Sequence, residues 1–348
     1  TMLTTFNAGL AKGFVPFASD RITPNAQALA MEESDVLCLQ EVWDTEDVET
    51  FTQAASSAYP HHYWVETERT EVNEGCTSEE ADPLAECIRT NCSDVPQDEL
   101  ANCGLGNCGD EFNAASSACQ TCIASNLDKD IDGILEACTG GGAAFSYGGR
   151  NGLLLLSRTP LENTDHTMLT SVLVQRSVLR ADITTSNGQE LSVYCTHLAS
   201  DLSGSIEYPG EEFDSFAQEQ EAQIQQLLEW IEGHENKSSL TLMGDFNTGP
   251  DGNEGVSAEL PDNFQLILDA GFQSPVTSLG VCTYCDENTL NSNSPGTSGE
   301  MIDHVFLKGI EASEVSRVFD ETQTIATSEG EMNLHLSDHY GVTVILTP

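Results

Sequence analysis

Short apolar runs recur along this chain, and several of them stop at an acid, an amide or an imidazole. The runs at residues 3–10, 35–42, 152–157, 178–185, 191–198, 239–246, 301–307 and 340–346 read as buried strands, because each is short, rich in aliphatic residues and bounded by turn formers. Residues 61–67 alternate like a strand with one solvated face. Asn187-Gly188 lies between two of the runs and predicts a type I′ hairpin. Thr23 followed by Pro24, Ala26, Ala28, Leu29 and Met31 predicts a capped helix with proline in its first turn. Residues 44–58 have helical composition, and another helix is expected near residues 264–270. Residues 211–232 place Phe213, Phe216, Ile224, Leu227, Leu228 and Ile231 on one helical side. Many strands with few helices between them predict two packed mixed β-sheets flanked by helices, in one domain over residues 1–348. A cysteine-rich insertion at residues 71–138 interrupts the order. The glycines at 140–142 and 148–149 return the chain to the sheet.

The polar residues closing the runs give the first hint of chemistry. Glu41, Asp245 with Asn247, and Asp338 with His339 each stand beside a segment that a core would enclose. Cores exclude acids unless the acids have a task, so these strand ends predict one active-site rim on a rigid scaffold.

Charge narrows the partners. The chain of 348 residues carries 57 acids against 12 bases, a net charge of -45 spread along its length. A nucleic-acid binder needs a basic stripe, and this chain has none. Adaptation to high salt and a surface that resists aggregation both account for the acidity. The chain holds no apolar stretch of the roughly 20 residues that span a bilayer. Its start, Thr1-Met2-Leu3-Thr4, lacks a charged segment ahead of an apolar one, as expected of a mature or trimmed chain.

Cys38 and Cys195 sit inside apolar runs and read as small buried hydrophobes. Eight others, Cys76, Cys87, Cys92, Cys103, Cys108, Cys119, Cys122 and Cys138, crowd into the insertion, and Cys282 and Cys285 form a local pair. The insertion is rich in Asn, Asp, Glu, Ser and Gly, so burial alone is not expected to hold it. Disulfides compensate in such segments, and the even count predicts four bridges there plus a fifth at Cys282 and Cys285. Zinc at Cys119 and Cys122 is the alternative. Bridges imply an oxidising, extracytoplasmic compartment, hence secretion or display at the cell surface.

Asn7, Gln40-Glu41, Thr196-His197-Leu198, Gly244-Asp245-Phe246-Asn247, Ile302-Asp303 and Ser337-Asp338-His339 together resemble the ordered motifs of the endonuclease/exonuclease/phosphatase superfamily. That resemblance spans the first strand to the last and implies a four-layered α/β sandwich. It implies hydrolysis of a phosphate ester by in-line attack of activated water, aided by a divalent cation. Mg²⁺ is expected, with Mn²⁺ and Ca²⁺ as alternatives. Glu41 is the leading metal ligand, as a carboxylate emerging from an apolar strand, with Asp338 and Asn7 nearby by resemblance. His339 is the expected general base, since imidazole is partly neutral near pH 7. By resemblance Asp303 orients it, Asp245 positions or activates water, and Asn247 and His197 donate to the phosphoryl group. His304, beside Asp303, should face the other side of its strand.

Two departures from the deoxyribonuclease I pattern bear on substrate. Trp43-Asp44 replaces an arginine suited to DNA, and Asn151 replaces an acid, so both Trp43 and Asn151 are candidate substrate contacts. The loop Gly13-Phe14-Val15-Pro16-Phe17 follows the Asn7 strand end; its aromatics are expected either to dip into a lipid interface or to pack beneath the loop. The pattern is closest to neutral sphingomyelinases and implies a phospholipid or small phosphodiester substrate with peripheral membrane contact. A deoxyribonuclease I-like endonuclease and a non-catalytic cysteine-rich binding module are the alternatives.

Overall fold

The apolar runs become strands that bury both faces, and a computed structural model describes their arrangement over residues 1–67, 71–72, 75–127, 129–139, 142–143, 145–234, 238–251, 255–291 and 299–347. The expected glycine link at 140–141 lies outside the described residues. In chain order come β1 (Met2–Asn7), α1 (Ala18–Met31), β2 (Val36–Gln40), α2 (Thr45–Ala55) and β3 (His61–Tyr63). The short β4 (Glu71–Val72) leads into α3 (Ser78–Asn91), α4 (Leu100–Asn113), α5 (Ser117–Ala124) and α6 (Ile131–Thr139), and β5 (Gly142–Ala143) pairs back onto β4. Then follow β6 (Leu154–Ser157), β7 (Glu162–Met168), β8 (Ser177–Thr184), β9 (Glu190–His197), α7 (Phe216–His234), β10 (Leu240–Asp245) and α8 (Pro261–Asp269). The chain closes through β11 (Asp303–Lys308), β12 (Ala312–Val318), β13 (Gln323–Thr327), β14 (Gly330–Leu334) and β15 (Gly341–Leu346).

Two mixed sheets form, in the orders β12-β15-β1-β2-β6-β3 and β11-β10-β9-β8-β7. Leu3, Val36, Leu155, Leu179, Val193, Met243, Val305 and Val344 fill the layer between them. Phe51, Leu29 and Val48 lie in the cluster on the outer face of the first sheet, and Ile224, Leu227, Phe264 and Ile267 in that on the second. The result is the expected four-layered α/β sandwich. Its parallel pairs matter for function: β1 runs beside β2 with Asn7 level with Gln40, and β9 beside β10 with His197 level with Asp245. β11 runs antiparallel to β10, so its first residue, Asp303, also faces Asp245.

Several expectations need correction. Cys38 and Cys195 are not free hydrophobes: they are bonded to each other and rivet β2 to β9 across the central layer, 5.5 Å between Cα atoms. A half-cystine and a small apolar side chain bury equally well, which hid the bridge. The helix around Pro24 starts at Ala18, six residues before the proline. Arg21 explains the extension, since its buried guanidinium donates to the carbonyls of Pro16, Ala8, Gly9 and Leu336 and ties the extra turn down. The Asn187-Gly188 hairpin is not type I′, because only Gly188 has positive φ (84°) and its N–H bonds the Thr185 carbonyl; this is a type I turn followed by a glycine bulge. β7, β12, β13 and β14 went unanticipated because they are edge or hairpin strands with polar residues on both faces.

The cysteine-rich segment is helical, and its four bridges are Cys76–Cys119, Cys87–Cys108, Cys92–Cys103 and Cys122–Cys138. Cys119 and Cys122 thus take different partners, which removes the zinc alternative. Cys282–Cys285 is bonded as expected. The segment also has an apolar cluster of its own, including Leu84, Ile88, Phe112, Ile123 and Ile134.

Candidate active site

Strand direction assembles the rim. The C-terminal ends of β1, β2, β9 and β10 deliver Asn7, Glu41, His197 and Asp245, while the starts of β11 and β15 bring in Asp303 and His339. Glu41 (φ 59°) and Asn247 (φ 48°) both adopt left-handed backbone immediately beyond their strands. Such strain in non-glycine residues is held only where the surroundings fix it, and it recurs at functional sites.

Asn7 stands between the two carboxylates: its Nδ2 donates to Asp245 Oδ2 at 2.9 Å and to Glu41 Oε1 at 3.2 Å. The other oxygen of Glu41, Oε2, is buried and has no hydrogen-bond partner. Burial first, then the negative charge of Asp338, push the Glu41 carboxyl up to about 7. A buried carboxylate with an unshared oxygen beside a second acid is poised for a cation. Asp338 takes a hydrogen bond from Ser337 Oγ at 3.1 Å. Gly9, in left-handed backbone, fits only without a side chain, since a Cβ there would stand 2.3 Å from Asp338 Oδ1.

His339 Nδ1 lies 2.9 Å from Asp303 Oδ2, and Nε2 lies 3.8 Å from Asp245 Oδ2. Burial alone would lower this imidazole, but the charges of Asp303 and Asp245 and the bond to Asp303 outweigh it and raise it well above its ordinary value. Asp245 is pushed up to about 7 by burial and then by the charge of Asp303. Asp245, Asp303 and His339 offer ligand atoms within 4.8 Å of one another. Because His339 is already engaged by Asp303, the oxygen set around Glu41 suits a hard cation better than this trio does. His197 approaches Asp245 Oδ2 at 3.4 Å and is driven well below its ordinary value by burial, then by Arg176 and His339, so it is neutral. Asn247 spends one amide hydrogen on the Leu198 carbonyl at 3.0 Å, and its backbone N–H bonds Asp245 Oδ1 at 2.9 Å.

All of these except Asn7 and Asp303 line one cavity of about 470 Å³, together with Trp43 and Arg176. Trp43 stacks on Tyr147 at 4.5 Å between centroids, and its Nε1 is buried without a partner. Asn151 is placed elsewhere: its amide accepts from the Leu153 N–H at 3.0 Å in the local turn and donates to the Val65 carbonyl at 3.2 Å, tying that turn to the segment after β3. His304 also stays out of the cavity and is hydrogen-bonded within the fold, with Nε2 3.0 Å from the Met301 carbonyl. Phe14 and Phe17 are partly buried against the core, and α4 lies over their loop, with the Ala101 N–H donating to the Gly13 carbonyl at 3.3 Å.

Sequence reasoning missed two contributors. Arg176 is 5 % exposed, and its Nε and Nη1 are buried without hydrogen-bond partners. It faces the charges of Glu41 and Asp245, and burial lowers its pKa. The other is the loop closed by Cys282–Cys285, which places the Tyr284 ring 5.0 Å from that of His339 and holds the Asp303 N–H on Thr283 Oγ1 at 3.1 Å. The short spacing of that cysteine pair was visible; its role beside His339 was not.

Comparisons with known proteins bear on the family and the fold. The model of the Endonuclease/Exonuclease/phosphatase family matches residues 5–339. Sphingomyelinase C from Streptomyces griseocarneus is similar in fold at TM-score 0.60 and 15% identity, covering 99% of this chain and 98% of that one. A mutant beta toxin from Staphylococcus aureus, solved with bound magnesium ions, superposes at TM-score 0.58 and 13% identity over 99% of both chains. Humanized D. rerio TDP2 does so at 0.54 and 14%, over 100% of this chain and 98% of that one. No curated protein matches the sequence.

Proposed function

This chain belongs to the endonuclease/exonuclease/phosphatase family, and on that premise we propose that it is an extracytoplasmic, Mg²⁺-dependent phosphodiesterase that removes the head group of a phospholipid-like ester. The observation that carries the reading is the pairing, in one cavity, of an unshared carboxylate oxygen on Glu41 with an unshared guanidinium on Arg176. One invites a cation and the other an anion, which is what a metal-bound phosphoryl group presents.

Glu41, with Asp338 and Asn7 beside it, would hold the cation. When bound, that cation supplies positive charge that neutralises phosphoryl oxygens and offsets the carboxylate field around His339. Arg176 and the second amide hydrogen of Asn247 donate to the phosphoryl oxygens, and neutral His197 adds an N–H. Asp303 fixes the tautomer of His339 so that Nε2 takes the proton of the attacking water, which Asp245 orients. The water oxygen bonds to phosphorus, the bond to the leaving oxygen breaks with its electron pair, and that alkoxide takes a proton from solvent. Glu259 and Glu300 line the same cavity, and burial raises both carboxyls, Glu259 to about 7. A cationic head group satisfies these acids, whereas a polyanion is repelled by them. Six disulfides support an oxidising compartment.

The test is hydrolysis of sphingomyelin vesicles, bis-p-nitrophenyl phosphate, p-nitrophenyl phosphate and plasmid DNA, with Mg²⁺ and with EDTA. EDTA-sensitive release of phosphocholine with intact plasmid is expected. Nicked plasmid would move the protein to nucleases, and inertness toward the whole panel with Mg²⁺, Mn²⁺ and Ca²⁺ would overturn the reading.

A further inference from the structure

The cavity that opens at His339 does not end at the catalytic groups. It continues into the cysteine-rich segment, where Leu84, Ile88, Phe112, Ile123 and Ile134 line it. These side chains are buried, 3–8 % exposed, yet they enclose space instead of filling it. Protein interiors pack to crystal-like density, and apolar voids of this kind stay dry and accept apolar guests. About 470 Å³ falls within the range of a pocket for one small ligand.

Polarity divides the cavity. Glu41, Arg176, Asp245 and His339 form a charged group in its lining, the aliphatic side chains of the cysteine-rich helices form another, and Trp43, stacked on Tyr147, lines it as well. Trp43 is 4 % exposed and its Nε1 is buried without a partner, so a side chain of the lining carries a polar donor that the fold leaves unused. Four disulfides hold the surrounding helices without requiring the space to collapse. The segment is also fastened to the rim on two sides. Asn102 Nδ2 donates to the Phe14 carbonyl at 2.9 Å, and Ser146 Oγ donates to the Ala124 carbonyl at 2.7 Å.

We propose that the apolar arm of this cavity, lined by the cysteine-rich helices, binds one aliphatic chain of the phosphoester whose phosphate reaches His339. This rests on the hydrolase reading above and deepens it, since it assigns the cysteine-rich segment a substrate role. The protein would accordingly draw one amphiphile molecule at a time into the cavity, chain first.

The experiment compares dodecyl p-nitrophenyl phosphate with methyl p-nitrophenyl phosphate, both below micelle-forming concentration, in Mg²⁺. Each step consumes one water, breaks the bond from phosphorus to the aryl oxygen and releases p-nitrophenolate. The dodecyl ester is expected to have a kcat/KM about 100-fold higher, a discrimination that a hydrophobic pocket obtains from a few methylenes. Ala85→Phe and Ala124→Phe, each filling the apolar arm, are expected to cut that ratio about tenfold. Thermal unfolding checks that both variants fold. As a readout independent of turnover, dansyl-undecanoic acid should bind the EDTA-treated wild type at one equivalent and bind neither variant. A ratio near unity, a preference that appears only above the micelle concentration, or variants that leave ratio and probe binding unchanged would overturn the chain site, while cleavage of the methyl ester would leave the hydrolase reading standing. If wild type cleaves neither ester with Mg²⁺, Mn²⁺ or Ca²⁺, both readings fall together.

Discussion

The catalytic rim and the cysteine-rich helices solve opposite problems. At the rim, charged groups are driven into a core that resists them, and strand ends hold them there through bonds such as Asn7 to Asp245 and Asp303 to His339. In the helices, apolar groups line a space they do not fill, and covalent bridges hold the walls. The rim is thus stabilised by the sandwich that carries it, whereas the helices carry their own restraints. Damage to one region should leave a distinct signature from damage to the other.

The largest separation should come from the bridge that belongs to the sandwich. Cys38→Ser with Cys195→Ser reopens a separation of 157 residues, for which loop entropy predicts a loss of about 5 kcal/mol; urea unfolding should show it as a fall in the midpoint of the whole molecule. Next, His339→Ala should lower kcat about 10³-fold while the protein stays folded with a lowered melting temperature, because buried Asp303 loses its partner; steady-state kinetics beside calorimetry would check both. Third, Cys122→Ser with Cys138→Ser opens a separation of only 16 residues and should cost about 3 kcal/mol. Hydrogen exchange should report that loss in α5 and α6 while the central strands stay protected.

The smallest effect concerns pH. Glu41 and Asp245 have folded pKa values of about 7 against ordinary values of 4.5 and 3.8. At these two carboxyls the metal-free folded state binds more protons than the unfolded chain between about pH 4 and pH 7, so the stability they contribute falls as pH rises through that window. A cation at Glu41 needs that carboxylate ionised, so Mg²⁺ should raise the melting temperature more at about pH 8 than at about pH 5.5. Differential scanning fluorimetry would check this; an equal shift at both pH values would place the cation elsewhere.

What the sequence revealed follows the same division. Glu41, Asp245 and His339 were legible because each stands at the end of an apolar run, whereas Asp303, inside its run, was legible only through the resemblance of the motif set. Arg176 was not, since it follows Gln175 in a stretch without periodicity and gains meaning only where the fold sets it opposite Glu41. Cys38 and Cys195 were hidden by their surroundings: a bridge between buried strands leaves no polar trace. The helices between Ser78 and Thr139 were obscured because alanines and half-cystines supply much of their buried face, as at Ala81, Ala85, Cys108 and Cys119. Trp43 lies in the cavity beside His197, and Asn151 turns inward to Val65.

Among the described residues, Arg21, Arg176 and Arg180 of the chain's 12 bases are buried. The solvent-facing shell consequently keeps few positive charges among its many acids, and it acts as a kinetic filter ahead of the cavity. An anionic ester in dilute buffer meets a repulsive field reaching about 30 Å at 0.01 M salt, which contracts to about 8 Å at 0.15 M. Its capture accelerates as ionic strength rises, whereas a zwitterionic ester, with no net charge to repel, arrives at a nearly constant rate.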